Sequence, residues 1–256
     1  MALLQADGLS HYFGGLCAVS DFNLNLEPGE LVGIIGPNGA GKTTVFNLIT
    51  GVYRATRGSI RFSGTELINR APNRITALGI ARTFQNVRLF QQLTVLDNVR
   101  VAHYGRLRYS LPEALLHVGR YGKEEARSIR EAMELLGVFN LETHARELAR
   151  NLPYGMQRRL EIARALAAHP RLLLLDEPAA GMNPNEILLL MDLIRLVRKR
   201  FDLTILLIEH QMRLVMGICE RIKVLDFGAT LAEGTPREIQ VHPEVLEAYL
   251  GKDSVI

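Results

Sequence analysis

Apolar residues fall into three patterns along the chain, and each predicts a different kind of element. Nearly unbroken apolar runs at residues 31–35, 172–175 and 203–208 have strand length and read as central strands of a parallel sheet, buried on both faces. Residues 3–13 and 20–26 alternate apolar and polar, as strands with one solvated face do, and Pro28-Gly29 turns the chain into the first buried run. Short strands are predicted at 58–62 and at 79–85, the second ending on Thr83-Phe84-Gln85. Residues 221–225 and 229–232 read as a hairpin around Gly228.

Helical spacing takes over between about 94 and 149, where Ala, Leu, Glu and Arg dominate. Within it, residues 124–136 place Ile129, Met133 and Leu136 on one face and charges on the other. The prediction is a helical subdomain inserted into an α/β domain. Its basic residues, Arg106, Arg108, Arg120, Lys123, Arg127 and Arg130, lack interleaved aromatics and read as a solvated face. Further helices are predicted at 42–50 and at 158–168, where Leu160, Ala163 and Ala167 share a face. Asn183-Pro184-Asn185-Glu186 is a capping box with Pro at the first helical position, and its helix runs to about Arg200. Thr235-Pro236-Arg237-Glu238 caps a short last helix in the same way.

The nine residues between the first buried run and the first helix bring chemistry into this frame. They read Gly36-Pro37-Asn38-Gly39-Ala40-Gly41-Lys42-Thr43-Thr44, the G-x-x-x-x-G-K-[ST] pattern in its strand–loop–helix context. Glycines let bare backbone N–H groups approach phosphate oxygens, and the helix start aims its positive end at the same anion. Lys42 can reach the outer phosphates, and the Thr43 hydroxyl can ligate Mg²⁺. Asp176-Glu177 closes the second buried run, at the strand end where ligands bind in open α/β sheets. One carboxylate there can hold a metal ion and the other can polarise a water. Three weaker signals accompany these. Phe13 could stack on a base or simply pack; His210, after the third buried run, could contact a terminal phosphate or be a surface histidine; and the loop at 151–157, with Gly155 entering a helix, is a second possible anion site.

Composition narrows the class. A chain of 256 residues with 48% hydrophobic and 22% charged residues supports one good core with a subdomain grafted on. A net charge of +3 gives no case for nucleic acid as a partner. Cys17 and Cys219 have neither metal spacing nor a disulfide pattern, as expected in a reducing compartment. The opening MALLQADGLS has no signal-peptide character and the apolar runs are too short to span a bilayer. The expectation is a cytoplasmic protein that meets a membrane only through partners.

Taken together, the motifs resemble the ATP-binding subunits of ABC transporters over essentially the whole chain: an aromatic, the phosphate loop, Gln85, a helical insert, residues 152–157, Asp176-Glu177, residues 181–183 and His210, in that order. The resemblance implies a P-loop NTPase core at 1–85 and 153–256, built as a RecA-like parallel sheet with an antiparallel β subdomain. It implies a helical subdomain at 86–152 and a short C-terminal helical extension at 235–256. ATP and Mg²⁺ are the implied cofactors. Phe13 becomes the adenine-stacking aromatic, residues 36–44 hold the phosphates, and Thr43, Asp176 and Gln85 attend the metal. Glu177 is the general base, His210 the γ-phosphate sensor, and Gly155 acts in trans on a second subunit. The LSGGQ signature is altered here: Pro153, Tyr154 and Met156 depart from it, and Asn183 replaces the D-loop Asp. The segments ARTFQNVRLFQQLTVLDNV, LPYGMQRRLEIARAL, LLLLDEPAAGMNP and LLIEHQM resemble one branch that shares these departures, the LivG-type subunits of branched-chain amino acid importers.

The implied partners are a second ATP-binding subunit, two membrane permease subunits and, indirectly, a substrate-binding protein, with the chain on the cytoplasmic face of the plasma membrane. Alternatives within the class are ATPases for urea, other amino acids or lipopolysaccharide export. A soluble ABC ATPase of DNA repair or translation would usually carry a second ATPase domain or a long coiled-coil insert. A GTPase switch would need N-K-x-D, which is missing.

Overall fold

The computed structural model describes residues 2–106 and 109–250. Ten strands and ten α-helices follow one another among them, and the contacts divide into two units, residues 1–82 with 171–256 and residues 83–170.

The first unit opens with β1 (Leu4–Phe13) and β2 (Leu16–Leu26), an antiparallel hairpin joined at Gly14-Gly15. β3 (Leu31–Ile35) is fully buried and leads into α1 (Lys42–Ile49). β4 (Arg57–Phe62), β5 (Thr65–Glu66), α2 (Pro72–Ala77) and β6 (Ile80–Arg82) complete its N-terminal part. The second unit holds α3 (Val95–His103), α4 (Leu111–Leu116), α5 (Tyr121–Val138) and α6 (Tyr154–Leu166), with short 3₁₀ turns between them. The chain then returns to the first unit with β7 (Leu172–Asp176), α7 (Pro184–Arg200), β8 (Thr204–Ile208), α8 (Met212–Ile218), β9 (Arg221–Asp226), β10 (Ala229–Gly234), α9 (Pro236–Gln240) and α10 (Pro243–Leu250).

Two sheets organise the first unit. β2-β1-β4-β5 is antiparallel; β10-β9-β3-β8-β7-β6 is parallel apart from its β10–β9 hairpin. Phe22, Phe46 and Phe62 are fully buried in one apolar core with Leu4, Leu9, Ile34, Leu174 and Leu206. Each such side chain contributes about 1.5–3 kcal/mol by leaving water. β3, β8 and β7 are parallel neighbours, and Ile34 pairs with Ile208, which pairs with Asp176. The residues following these strands therefore emerge along one edge, within about 10 Å across two strand spacings. The mixed sheet and strand-loop-helix core are of the P-loop NTPase type.

The second unit has its own core of Val95, Val99, Ala132, Leu136, Phe139 and Leu160. Thr94 caps α3 by accepting from Asp97 N at 3.0 Å. Asn98, fully buried, accepts from Phe90 N at 2.9 Å and donates to the carbonyls of Phe90 and Thr94, at 3.0 Å each, which ties the loop before α3 to the helix. Arg100 pairs with Asp97 and with Glu125, joining α3 to α5.

Several predicted elements shift. β2 begins at Leu16 rather than at residue 20, because the glycine pair at 14–15 lets the hairpin close tightly. β6 stops at Arg82, so Gln85 lies in a loop. On α5 the buried stripe is Ser128, Ala132, Leu135 and Leu136, while Ile129 is exposed and Met133 half-buried. Two small residues, Ser128 and Ala132, thus share the buried stripe with Leu135 and Leu136, and Ser128 lies against His103 of α3. The helix predicted at the C-terminus is two, because Pro243 cannot continue α9 and starts α10 instead. Helix α6, expected with the core, groups with the second unit through its contacts with α3 and α5. Arg120, Lys123, Arg127 and Arg130 are exposed, as expected of a solvated face; the Arg106 side chain and Arg108 lie outside the described residues. Among the described residues no helix is long and apolar enough to cross a membrane.

Candidate functional site

The loop at 36–44 leaves a fully buried strand and enters a helix whose first N–H groups no side chain caps. Two of its glycines are compulsory. A Cβ on Gly36 would sit 2.0 Å from the Leu225 carbonyl oxygen; one on Gly41, at φ +96°, would sit 2.4 Å from that of Ala18. The loop is thus pressed between β1–β2 and β9–β10 and leads into the uncapped start of α1, a place suited to an anion. Lys42, nearly buried, donates to the carbonyls of Gly36 and Pro37 at 2.8 Å each. Burial lowers its pKa, against the opposing pull of Glu177 and Asp176, so these carboxylates and the loop lysine share one electrostatic neighbourhood.

Asp176 ends β7 and is buried. Arg82 donates to its Oδ2 at 2.7 Å and to Asn47 Oδ1 on α1 at 2.7 Å, linking β6, β7 and the loop helix through one guanidinium. Glu177, the next residue, adopts φ +45°, a left-handed conformation rarely taken by a non-glycine residue, while its N–H donates to Ile208 O at 2.9 Å. That turn directs it to β8, where His210 Nδ1 lies 3.6 Å from Glu177 Oε2. The structure brings Lys42, Asp176, Glu177 and His210 to one strand edge.

In the sequence, Glu209 reads only as an acid at a strand end. It is fully buried and accepts from Ala179 N at 2.7 Å, His210 N at 2.9 Å and Gln211 N at 3.1 Å. One carboxylate thereby holds the segment after Glu177 against the segment carrying His210. Glu209→Ala is expected to leave nucleotide affinity within a few-fold of wild type while lowering kcat about 10–100-fold, since positioning is lost and phosphate binding is not. Steady-state ATPase assays beside nucleotide titration check the split.

Phe13, at the end of β1, is 44% exposed. It meets His11 and Tyr53 edge-on, with ring centroids at 4.6 and 5.2 Å, while His11 and Tyr53 stack on each other. It packs against His11 and Tyr53 and leaves nearly half of its surface exposed.

The remaining candidates lie in the second unit. Gln85 is exposed in the loop after β6, and its carbonyl accepts from Arg158 at 2.6 Å. Arg158, the largest fully buried side chain, also donates to Phe84 O at 2.6 Å and to Glu161 at 2.9 Å; Glu161 in turn accepts from Arg88 N at 3.1 Å and Phe84 N at 3.4 Å. A buried ion pair on α6 therefore pins the backbone around Gln85, a role invisible in a sequence where Arg158 reads as a helix-start residue. Pro153 stands at the N-cap of α6, with Met156 and Gln157 N–H groups bonded to its carbonyl, and Gly155 sits half-buried in the first turn, which no side chain caps.

Known proteins match this chain in sequence and fold. A family model described as ABC transporter matches residues 19–180, and one described as branched-chain amino acid ATP-binding cassette transporter matches residues 229–255. The chain is 47% identical over 250 residues, 98% of its length and 98% of the relative's, to the high-affinity branched-chain amino acid transport ATP-binding protein LivG of Escherichia coli K12. It is 46% identical, with the same coverage, to the counterpart BraF of Pseudomonas aeruginosa. A crystal structure of the ADP conformation of an ATP-binding cassette of an ABC transporter superposes with a TM-score of 0.85 at 29% identity, covering 98% of this chain and 100% of that one.

Proposed function

The chain belongs to the ATP-binding subunits of ABC transporters, and from that premise we propose that it powers an importer of branched-chain amino acids. ATP hydrolysis coupled to transport is the activity of the family. The choice of substrate rests on the relatives, LivG and BraF, and on the match at 229–255. The observation that carries the chemistry is the convergence of an uncapped phosphate loop, buried Asp176, and Glu177 beside His210 on one strand edge.

In this proposal the loop amides and Lys42 hold the β- and γ-phosphates, and Lys42 exchanges its loop carbonyls for phosphate oxygens. Glu177 takes the proton of a water whose oxygen attacks the γ-phosphorus; the bond from that phosphorus to the bridging oxygen breaks, and ADP and phosphate leave. His210 holds the γ-phosphate and steadies Glu177. The oxygen donors Thr43 and Asp176 suit Mg²⁺, a hard cation. Mg²⁺ there would neutralise developing charge on the phosphates. Phe13 offers its exposed surface to adenine.

Gly155 and the uncapped start of α6 are assigned to the site of a second ATP-binding subunit, so a lone chain is nearly inactive. Pro153 removes the hydroxyl of the usual signature but leaves the backbone donors in place. The further partners are two permease subunits and a substrate-binding protein, which place the chain at the cytoplasmic face of the membrane. Purified from membranes in mild detergent, the tagged chain is expected to bring a second ATP-binding subunit and two multispanning proteins. Vesicles holding that complex should take up leucine, isoleucine and valine only with ATP. Recovery with ribosomes or DNA and no membrane subunit would overturn the reading.

A further inference from the structure

The helical unit gathers His103, Glu131 and His169 at one point. A ring nitrogen of each histidine and a carboxylate oxygen of Glu131 all lie within 4.8 Å of one another. His103 is the buried last residue of α3, Glu131 lies two-thirds along α5, and His169 is in the turn after α6. Three separate segments thus deliver imidazole, imidazole and carboxylate to the same place. The imidazole rings are 6.1 Å apart, and His169 Nε2 is 3.9 Å from Glu131 Oε2.

Outer partners orient the donors as they do in metal sites, where a ligand's other polar atom is held by a neighbour. Buried Ser128, one helical turn before Glu131, places its hydroxyl 3.2 Å from His103 Nδ1. Arg127 Nε donates to Glu131 Oε1 at 2.6 Å, leaving Oε2 on the side of His169. With bonds of about 2.1 Å in tetrahedral geometry, two donors on one ion stand about 3.4 Å apart, so the group has to close by roughly 1 Å. His169 is half-exposed and can supply that movement.

We propose that His103, Glu131 and His169 form a site for a borderline divalent cation of the Zn²⁺ class, which clamps α3, α5 and the turn after α6. Two imidazoles and one carboxylate suit Zn²⁺, Co²⁺ or Ni²⁺ and disfavour Mg²⁺ and Ca²⁺, which prefer oxygen. The site is separate from the Mg²⁺ proposed at Thr43 and Asp176 and does not depend on it. Bound metal would stabilise the helical unit by mass action.

The test uses the full chain, free of nucleotide and stripped with chelator, titrated with Co²⁺ alone and with Zn²⁺ alone. One equivalent of Co²⁺ is expected to give the visible absorption of a low-coordinate site, and Zn²⁺ to displace it and raise the melting temperature. His169→Gln and Glu131→Gln, both at accessible positions, should abolish the absorption and the shift while keeping the wild-type circular dichroism and basal melting temperature within a few degrees. Ser128→Ala should weaken binding about 10–100-fold, as loss of an outer partner does. A wild-type chain that gives no saturable signal, or variants that bind as it does, would overturn the proposal.

Discussion

Glu177→Gln is expected to cut ATP hydrolysis about 10²–10⁴-fold while ATP binding survives, because a positioned general base supplies an acceleration of that order. The amide has the shape of the carboxylate but cannot take the proton of the attacking water. Nothing that holds the residue in place is lost: its N–H still donates to Ile208 O, and the left-handed backbone at φ +45° is set by the turn after β7. Lys42, the loop amides and Asp176 are untouched, so the phosphates remain bound. In the proposed assembly, a subunit pair that binds ATP without cleaving it should accumulate closed. Size exclusion with ATP would show the paired species, and a phosphate-release assay would show the loss. Wild-type turnover by this variant would remove Glu177 from the role of base.

Arg158→Ala is expected to cost about 3–5 kcal/mol of stability, the range for breaking a buried ion pair from one side. Both side chains of the pair are essentially inaccessible to solvent, so the Glu161 carboxylate would be stranded in the core. The carbonyls of Phe84 and Gln85 would lose their guanidinium donor as well. Changing both residues, Arg158→Met with Glu161→Leu, should recover the part due to the stranded charge. It should not recover the part due to the backbone groups at 84–88, which the pair satisfies and no hydrocarbon can. Denaturant unfolding of the two variants separates these parts. Full recovery in the double variant would show that the pair does not hold the segment around Gln85.

Most of the architecture could be read from local pattern. Strands β3, β7 and β8 announced themselves as apolar runs because a parallel strand is covered on both faces. The caps of α7 and α9 were legible because a capping box is a short-range hydrogen-bond device, and both form. On α5, Leu136 is buried as the spacing predicts, but Ser128 and Ala132 share its stripe in place of Ile129 and Met133, a rotation of the face to which counting apolar residues is blind. Strand β6 stops short of its predicted end and the last helix divides in two, where loop bonding and a proline decide and periodicity does not.

By itself, the sequence determined the family, the glycine-rich loop between β3 and α1 and the carboxylates at the end of β7, since those depend on residue types at short fixed spacings and on their order. Tertiary structure alone decided which distant groups meet. Arg82 reaches Asp176 across 94 positions, Arg158 reaches the backbone at 84–85, Glu209 joins two strand-end loops, and His103, Glu131 and His169 converge from three segments. A buried charge is stable only beside its partner, and its partner is chosen by how sheets and helices pack rather than by neighbours in the chain.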